Sequence, residues 1–211
     1  VNISLVNETR IILSKFKIDI NEVIKSASTK PFGFMPFYPG PGFGGHCIPV
    51  DPFYFVWSAK QMGVNANFIE LSGKINKTLP NWLLDQMNSF LKKRGKTLFN
   101  KKILILGISY KKNINDDRES PAYNFIFKLL NKFKCKINYS DPFIKKIYKR
   151  NKKKKLIFNS ISLSNKSLSN FDYIILITDH DKFNYNLIKN FKGFIFDTRN
   201  KFKKASNVIH V

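Results

Sequence analysis

At 211 residues the chain is long enough for one large or two small domains, each burying a core of its own. It carries 37 Lys and Arg against 14 Asp and Glu, a formal net charge of +23 with a pI near 10.0. No apolar run reaches membrane-spanning length, no signal-peptide pattern opens the chain, and two cysteines with three scattered histidines (46, 180 and 210) exclude a disulfide framework and a metal-ligand spacing. These features predict a reduced, cytoplasmic protein. Lys, Asn, Ile and Phe are abundant together, as a coding bias would give, so the charge alone does not specify nucleic acid. The densest basic run, KKIYKRNKKKK at 145–155, falls between predicted elements as a solvated surface, and no helix-turn-helix, zinc-finger or RNP-like pattern accompanies it.

In chain order, residues 1–15 place Val1, Leu5 and Ile12 on a helical period without an initiating Met, so the chain starts inside an element. A second short helix follows with Asp19 near its start, then an extended aromatic lead-in, TKPFGFMPFY. PGPGFGGHCIPVDP at 39–52 alternates four glycines with prolines and closes on Cys47: a tight, wrapped backbone presenting one thiol. Asp51 is placed as the N-cap and Pro52 as the first residue of a helix that stops at Gly63. A long helix over about 67–94, interrupted or kinked at Pro80 and ended by Gly95, carries an apolar stripe of Phe68, Leu71, Ile75, Leu79, Leu83, Met87 and Leu91. That stripe suits a core face or a subunit contact equally well.

A compositional break at GKTLFN (95–100) sets residues 1–95, a helical region, apart from residues 96–211. There KKILILGISY reads as a buried parallel strand, PAYNFIFKLLNKF as a helix, CKINYSDP as a strand, PFIKKIYKR as a short helix, KLIFN and DYIILITDH as strands, FNYNLIKNF as a helix and GFIFDTRN as the closing strand. Such alternation predicts an α/β fold with a Rossmann-like parallel sheet covered on both faces, whose ligands bind beyond the carboxyl ends of the strands. Those ends carry Ser109 to Lys112, Asp141, Thr178 to His180, and Asp197 to Arg199. The loop after the first strand lacks G-x-G-x-x-G but offers Lys111, Lys112 and Arg118, cations suited to a phosphorylated ligand; Asp116 and Asp117 suggest that part of it is internally paired.

FYPGPGFGGHCIPVDP, ILGISYKKNINDDRESPA, SDP at 140–142 and DTRN at 197–200 together resemble the central and C-terminal parts of the UDP-glucose/GDP-mannose dehydrogenase family, in particular the branch that oxidises UDP-N-acetyl-D-glucosamine or -mannosamine at C6. The resemblance spans essentially the whole chain. It implies a helical dimerisation region followed by a Rossmann-like UDP-binding domain, a homodimer through residues 1–95, NAD as cofactor on an N-terminal domain that would precede Val1, and a place in surface polysaccharide synthesis. Residue by residue, it implies Cys47 as nucleophile and Asp51 as the carboxylate assisting it. Tyr38, Gly40, Gly44, Lys111 and Arg199 fall to the substrate and Arg118 to NAD. Val50 stands where many relatives have lysine.

The chemistry fits a thiol. Oxidising a primary alcohol to a carboxylate removes four electrons, hence two hydrides, and a thiolate retains the aldehyde between the two steps as a thiohemiacetal and then a thioester. On spacing alone Asp51 is a helix cap; only the resemblance gives it a catalytic role. His46 suits a binding role in the loop, and Cys135, inside a strand pattern, a small buried apolar position. Two other function classes stand beside the enzyme: a non-catalytic UDP-sugar-binding module and a basic nucleic-acid binder.

Overall fold

The computed structural model describes the backbone of residues 1–151 and 154–211, and the side chains of these residues except 149–156. Four helices come first: α1 (Asn2–Lys15), α2 (Ile20–Ala27), α3 (Cys47–Gln61) and α4 (Asn67–Lys92). Asp19 caps α2, accepting a hydrogen bond from the Asn21 N–H. The lead-in at 29–46 forms no regular element. In α1 the sequence pattern is inverted. Val1, Leu5 and Ile12 are exposed, whereas Ser4 and Asn7 are buried, because the inner face carries a hydrogen-bond network.

Two expectations about the helices are corrected, the start of α3 and the interruption of α4 at Pro80. Helix α3 begins at Cys47, with His46 at the N-cap position and no side-chain cap, so Asp51 is an exposed residue inside the helix and Pro52 lies inside it too. A helix leaves its first four N–H groups unbonded in any case, so Pro49 costs nothing there and Pro52 removes only one of the earliest bonds. Helix α4 runs uninterrupted through Pro80 to Lys92, and Gly95 follows at φ +66.

The second part supplies β1 (Lys102–Leu106), α5 (Pro121–Lys132), β2 (Lys136–Ser140), β3 (Lys146–Asn151), β4 (Lys154–Asn159), α6 (Asn165–Leu168), β5 (Tyr173–Leu176), α7 (Tyr185–Lys189), β6 (Phe194–Asp197) and β7 (Val208–His210). Five strands form one parallel sheet in the order β2-β1-β5-β6-β7. The short helix expected in PFIKKIYKR is instead strand β3, paired antiparallel with β4 in a separate ribbon. Ile147 packs into the core while Tyr148 is exposed, the alternation of a strand. Residues 152–153 of the basic run lie outside the described residues. Strand β7 and helix α6 are additions to the sequence reading.

Alternation along β1 sends Ile103 and Ile105 to one face and Leu104 and Leu106 to the other. The first face packs against α5 and against Leu79, Leu83, Leu84, Met87 and Leu91 of α4; the second packs against α6 and α7. The lower half of the α4 stripe is therefore core for the sheet. Its upper end is open, with Phe68 and Leu71 exposed. Among the described residues no helix is long and apolar enough to cross a membrane.

Candidate active site

The glycine loop is seated between three elements. Gly40 N–H donates to Asn7 Oδ1 of α1 at 3.1 Å, and Asn7 Nδ2 donates to Asn76 Oδ1 of α4 at 3.1 Å. Asn76 Nδ2 in turn donates to Ser4 Oγ and to the Ser72 carbonyl, so the buried amides of Asn7 and Asn76 are partnered. On its other side the loop meets the segment after β1. Gly45 N–H donates to the Arg118 carbonyl at 2.8 Å, and a Cβ on Gly44 would stand 2.6 Å from the Glu119 carbonyl oxygen and 2.7 Å from Tyr110 Cβ. Gly45 has φ +94, and a Cβ there would stand 2.8 Å from the Tyr110 ring. Backbone therefore approaches backbone at a distance that only glycine allows.

This seat delivers Cys47, exposed, to the first residue of α3, where the positive end of the helix dipole favours an anion. Arg118 meets the loop through its carbonyl, which accepts the Gly45 N–H two residues before Cys47. Its guanidinium pairs with Asp116, Nε to Oδ1 at 3.1 Å and Nη2 to Oδ2 at 2.6 Å; that hydrogen bond, then the Asp116 charge, raises its pKa further. Asp117 accepts from the Tyr123 hydroxyl, and burial followed by that bond pushes the phenol upward. Asp116 is thus paired inside the loop and Asp117 to the first turn of α5.

The other residues singled out in the sequence are distributed around this point. Lys111 is exposed one residue beyond Tyr110, and Lys112 is 3.6 Å from Asp181. Asp51 stands one helical turn beyond Cys47, on the same face. Among the described residues no hydrogen bond joins the two. Arg199 lies behind the loop: its Nε donates to the Ile177 carbonyl at 2.7 Å, and its Nη1 is 2.6 Å from where a Gly40 Cβ would be. Burial lowers the Arg199 pKa against the pull of Asp179 and Asp197. Tyr38 is exposed in the lead-in and Val50 half-buried near the start of α3. Cys135 is buried, donates to the Leu98 carbonyl at 3.1 Å, and burial pushes its thiol up to about 11.

A buried polar cluster under the Lys111 loop received no role in the sequence reading. Asp141 Oδ2 accepts from the N–H groups of Ile108 (2.7 Å) and Ser109 (3.1 Å), and Oδ1 from those of Phe143 (2.8 Å) and Ile144 (2.9 Å). His180 Nε2 stands 3.1 Å from Asp141 Oδ2 and 3.0 Å from Ser109 Oγ. Its Nδ1 accepts the Asn113 N–H at 2.9 Å, which places the ring proton on Nε2. Although Ser, His and Asp meet here, all three are sealed from solvent. The cluster holds the loop bearing Lys111, and its signal in the sequence was the polar residue closing each strand: Asp141 after β2 and His180 after β5.

Burial by itself would raise the Asp141 carboxyl, but the hydrogen bonds from His180 and from Ile108, Ile144 and Phe143 outweigh it and hold the group well below the carboxylate range. A depressed native pKa contributes stability that is full above the unfolded value, about 3.9, and is lost as pH falls toward the native one. Asp141→Asn is accordingly expected to cost about 3 kcal/mol at pH 7, with the deficit shrinking below about pH 4. Urea midpoints of both proteins between pH 7 and pH 3 measure it; a deficit that does not change with pH would show that the carboxylate charge is not what the cluster holds.

The glycine loop thus seats Cys47 against the segment that follows β1, at the carboxyl end of a parallel sheet. The central-domain model of the UDP-glucose/GDP-mannose dehydrogenase family matches residues 1–78 and its UDP-binding-domain model matches residues 104–204. The chain belongs to this family. It is 31% identical to a UDP-N-acetyl-D-glucosamine 6-dehydrogenase of Salmonella typhi over 92% of its own length and 44% of that protein. It is also 31% identical to a UDP-N-acetyl-D-mannosamine dehydrogenase of Methanocaldococcus jannaschii, over 99% of its length and 42% of that protein. Among solved structures it resembles a UDP-D-ManNAc dehydrogenase from Pyrococcus horikoshii with a TM-score of 0.78 and 27% identity, over 97% of this chain and 46% of that one. The chain thus spans less than half the length of these relatives.

Proposed function

We propose that residues 1–211 are the nucleophile-bearing and UDP-sugar-binding part of an NAD-dependent UDP-N-acetyl-hexosamine 6-dehydrogenase. The observation that carries this reading is the docking of the Cys47 loop, through Gly44 and Gly45, onto Tyr110, the Arg118 carbonyl and Glu119 of the segment that also bears Lys111. Lys111 and Arg199 meet the diphosphate and the sugar, with Gly40 and Gly44 lining the path and Tyr38 at its entrance. Cys47 Sγ adds to the aldehyde carbon and holds the sugar as a thiohemiacetal; after loss of a hydride the resulting thioester is cleaved by water to carboxylate and free thiol. Asp51, on the Cys47 face of α3, relays the thiol proton to the aldehyde oxygen as Sγ adds and takes up that hydroxyl's proton as the hydride leaves. NAD, when bound, accepts a hydride in each of the two oxidations. Arg118 fits a role toward it, being an exposed guanidinium whose own carbonyl accepts the Gly45 N–H two residues before Cys47.

Titration of the chain with UDP and with UMP tests the binding half of this reading. UDP is expected to bind at least about tenfold more tightly, as one charge-assisted contact to the second phosphate would give, and Lys111→Ala should erase most of the preference. Equal affinity for both, or no binding of either, would rule the assignment out.

We also infer a two-fold dimer. With the lower α4 stripe used as sheet core, the apolar surface left open includes Phe68 and Leu71 of α4 and Tyr54, Phe55 and Trp57 of α3, and patches of this kind mark interfaces. Light scattering at micromolar concentration should give twice the 24.6 kDa chain mass, and Trp57→Glu should halve it. A wild-type mass of one chain would refute the dimer.

A further inference from the structure

The loop that carries Lys111 leaves β1 at Leu106 and reaches α5 at Pro121, and it is pinned from beneath at two points. At the first, Asp141 takes the N–H groups of Ile108 and Ser109, and the Thr178 hydroxyl donates to the Ser109 carbonyl at 2.6 Å. At the second, Asn113 stands at φ +63 with its N–H donated to His180 Nδ1 at 2.9 Å. Its side chain exchanges two bonds with Asp181: Nδ2 donates to Asp181 Oδ2 at 2.6 Å, and Oδ1 accepts the Asp181 N–H at 3.0 Å. Tyr110 N–H crosses the loop to the Asp116 carbonyl at 3.0 Å. Lys111 and Lys112 are left as an arch between the two points, and among the described residues neither forms a backbone hydrogen bond of its own.

One side chain serves both ends of the arch. His180 is fully buried, with Nε2 beside Ser109 Oγ and Asp141 Oδ2 under the first point and Nδ1 on the second. A neutral imidazole has one donor and one acceptor, and here both are engaged. Phe143 and Phe183 hold the ring from either side, at centroid distances of 5.1 and 5.5 Å. Without Nδ1 the far end of the arch would depend on the Asn113–Asp181 bonds, which lie at exposed residues where water competes for the same groups.

A lysine is a point charge on a flexible four-carbon stem, so the reach of its ammonium is set by where the backbone places its Cα. We propose that His180 is a positioning residue for phosphate recognition: its Nδ1 bond to the Asn113 N–H latches the arch so that Lys111 meets the second phosphate of UDP. The latch thereby sets the preference for a nucleoside diphosphate over a monophosphate. This rests on Lys111 being a diphosphate ligand.

The two ring nitrogens can be replaced separately. In His180→Asn an amide oxygen stands near the Nδ1 position and nothing reaches the Nε2 position, whereas in His180→Gln an amide N–H reaches the Nε2 position and the Nδ1 acceptor is lost. His180→Gln, still donating toward Asp141, should have the higher thermal midpoint of the two, yet its preference for UDP over UMP should fall from about tenfold to under about threefold. UMP affinity should change less than about twofold, since the monophosphate lacks the contact. His180→Asn should melt earlier and keep the preference; a merely structural role would make preference follow stability. Hydrogen exchange at the Asn113 amide reads the latch without ligand, slow in the wild type and His180→Asn and fast in His180→Gln. Should His180→Gln not fold, Asn113→Pro removes the donor at an exposed position and should lose the preference, while Asn113→Gly, which keeps the N–H and the positive φ, should retain it. A wild type that does not prefer UDP would defeat the assignment of Lys111 and this proposal with it. With that preference present, its survival in His180→Gln, a slow Asn113 amide in that variant, or equal loss of preference in His180→Asn would each overturn the latch alone.

Discussion

Replacing Cys47 by serine is expected to abolish uronate formation in the protein that joins residues 1–211 to an NAD-binding half, with a loss above about 10⁴ in rate, the scale on which removal of a covalent nucleophile acts. Serine preserves the loop, since Cys47 is exposed and the packing of the loop falls on Gly44 and Gly45. UDP-sugar affinity should therefore change less than about threefold, well under the 1.4 kcal/mol that a tenfold change represents. The hydroxyl cannot ionise near neutral pH and does not trap the aldehyde, so NADH should fall from two per sugar to at most one. Alkylation separates the two thiols independently. Cys47 is open to reagent, whereas Cys135 is buried with its thiol pushed up to about 11, so peptide-resolved labelling should modify Cys47 first, and UDP-sugar should protect it. A normal uronate yield from Cys47→Ser, with two NADH per sugar, would remove the thioester mechanism.

Gly45→Ala should produce the second-largest effect. The added Cβ meets the Tyr110 ring at 2.8 Å in a backbone held at φ +94, so either the ring or the loop must move. Movement of the loop breaks the Gly45 N–H bond to the Arg118 carbonyl and shifts the start of α3 and the thiol with it. A displacement of 1 Å at the reacting atom costs about a hundredfold in rate, so a loss of that size is expected, with a stability cost of about 1–3 kcal/mol. Gly95→Ala is the control. It also has positive φ, +66, but its Cβ would enter open space, so it should lower stability by about 1 kcal/mol and leave activity intact. Matching kinetics for the two variants would show that strain alone, not the seat on Tyr110, is what Gly45 provides.

The glycine loop was legible because glycine and proline act locally: their constraints on φ and on the N–H are written in the residue itself. The same holds for β1 and β5, whose continuous apolar runs need burial on both faces, and for α5, where Ser120 caps and Pro121 opens the helix. The start of α3 was misplaced for a related reason. Asp51-Pro52 has the local form of a helix opening, but docking of Gly44 and Gly45 onto the β1 loop fixes the chain direction five residues earlier. PFIKKIYKR reads locally as a short helix, but pairing of Lys146–Asn151 with β4 makes it a strand.

By itself, then, the sequence determined the α/β alternation, the single thiol held in a glycine-rich turn and the cations beyond the first strand, since each depends on backbone preference or on apolar periodicity over a few residues. Tertiary structure alone decided that α4 covers one face of the sheet, that Asn7 and Asn76 clamp Gly40 from a buried face that reads as polar surface, and that His180 reaches Asp141 and the Asn113 amide. The polar contacts among these join residues 33 to 69 positions apart, and nothing local distinguishes a buried, partnered polar side chain from a solvated one until the partner's position is known.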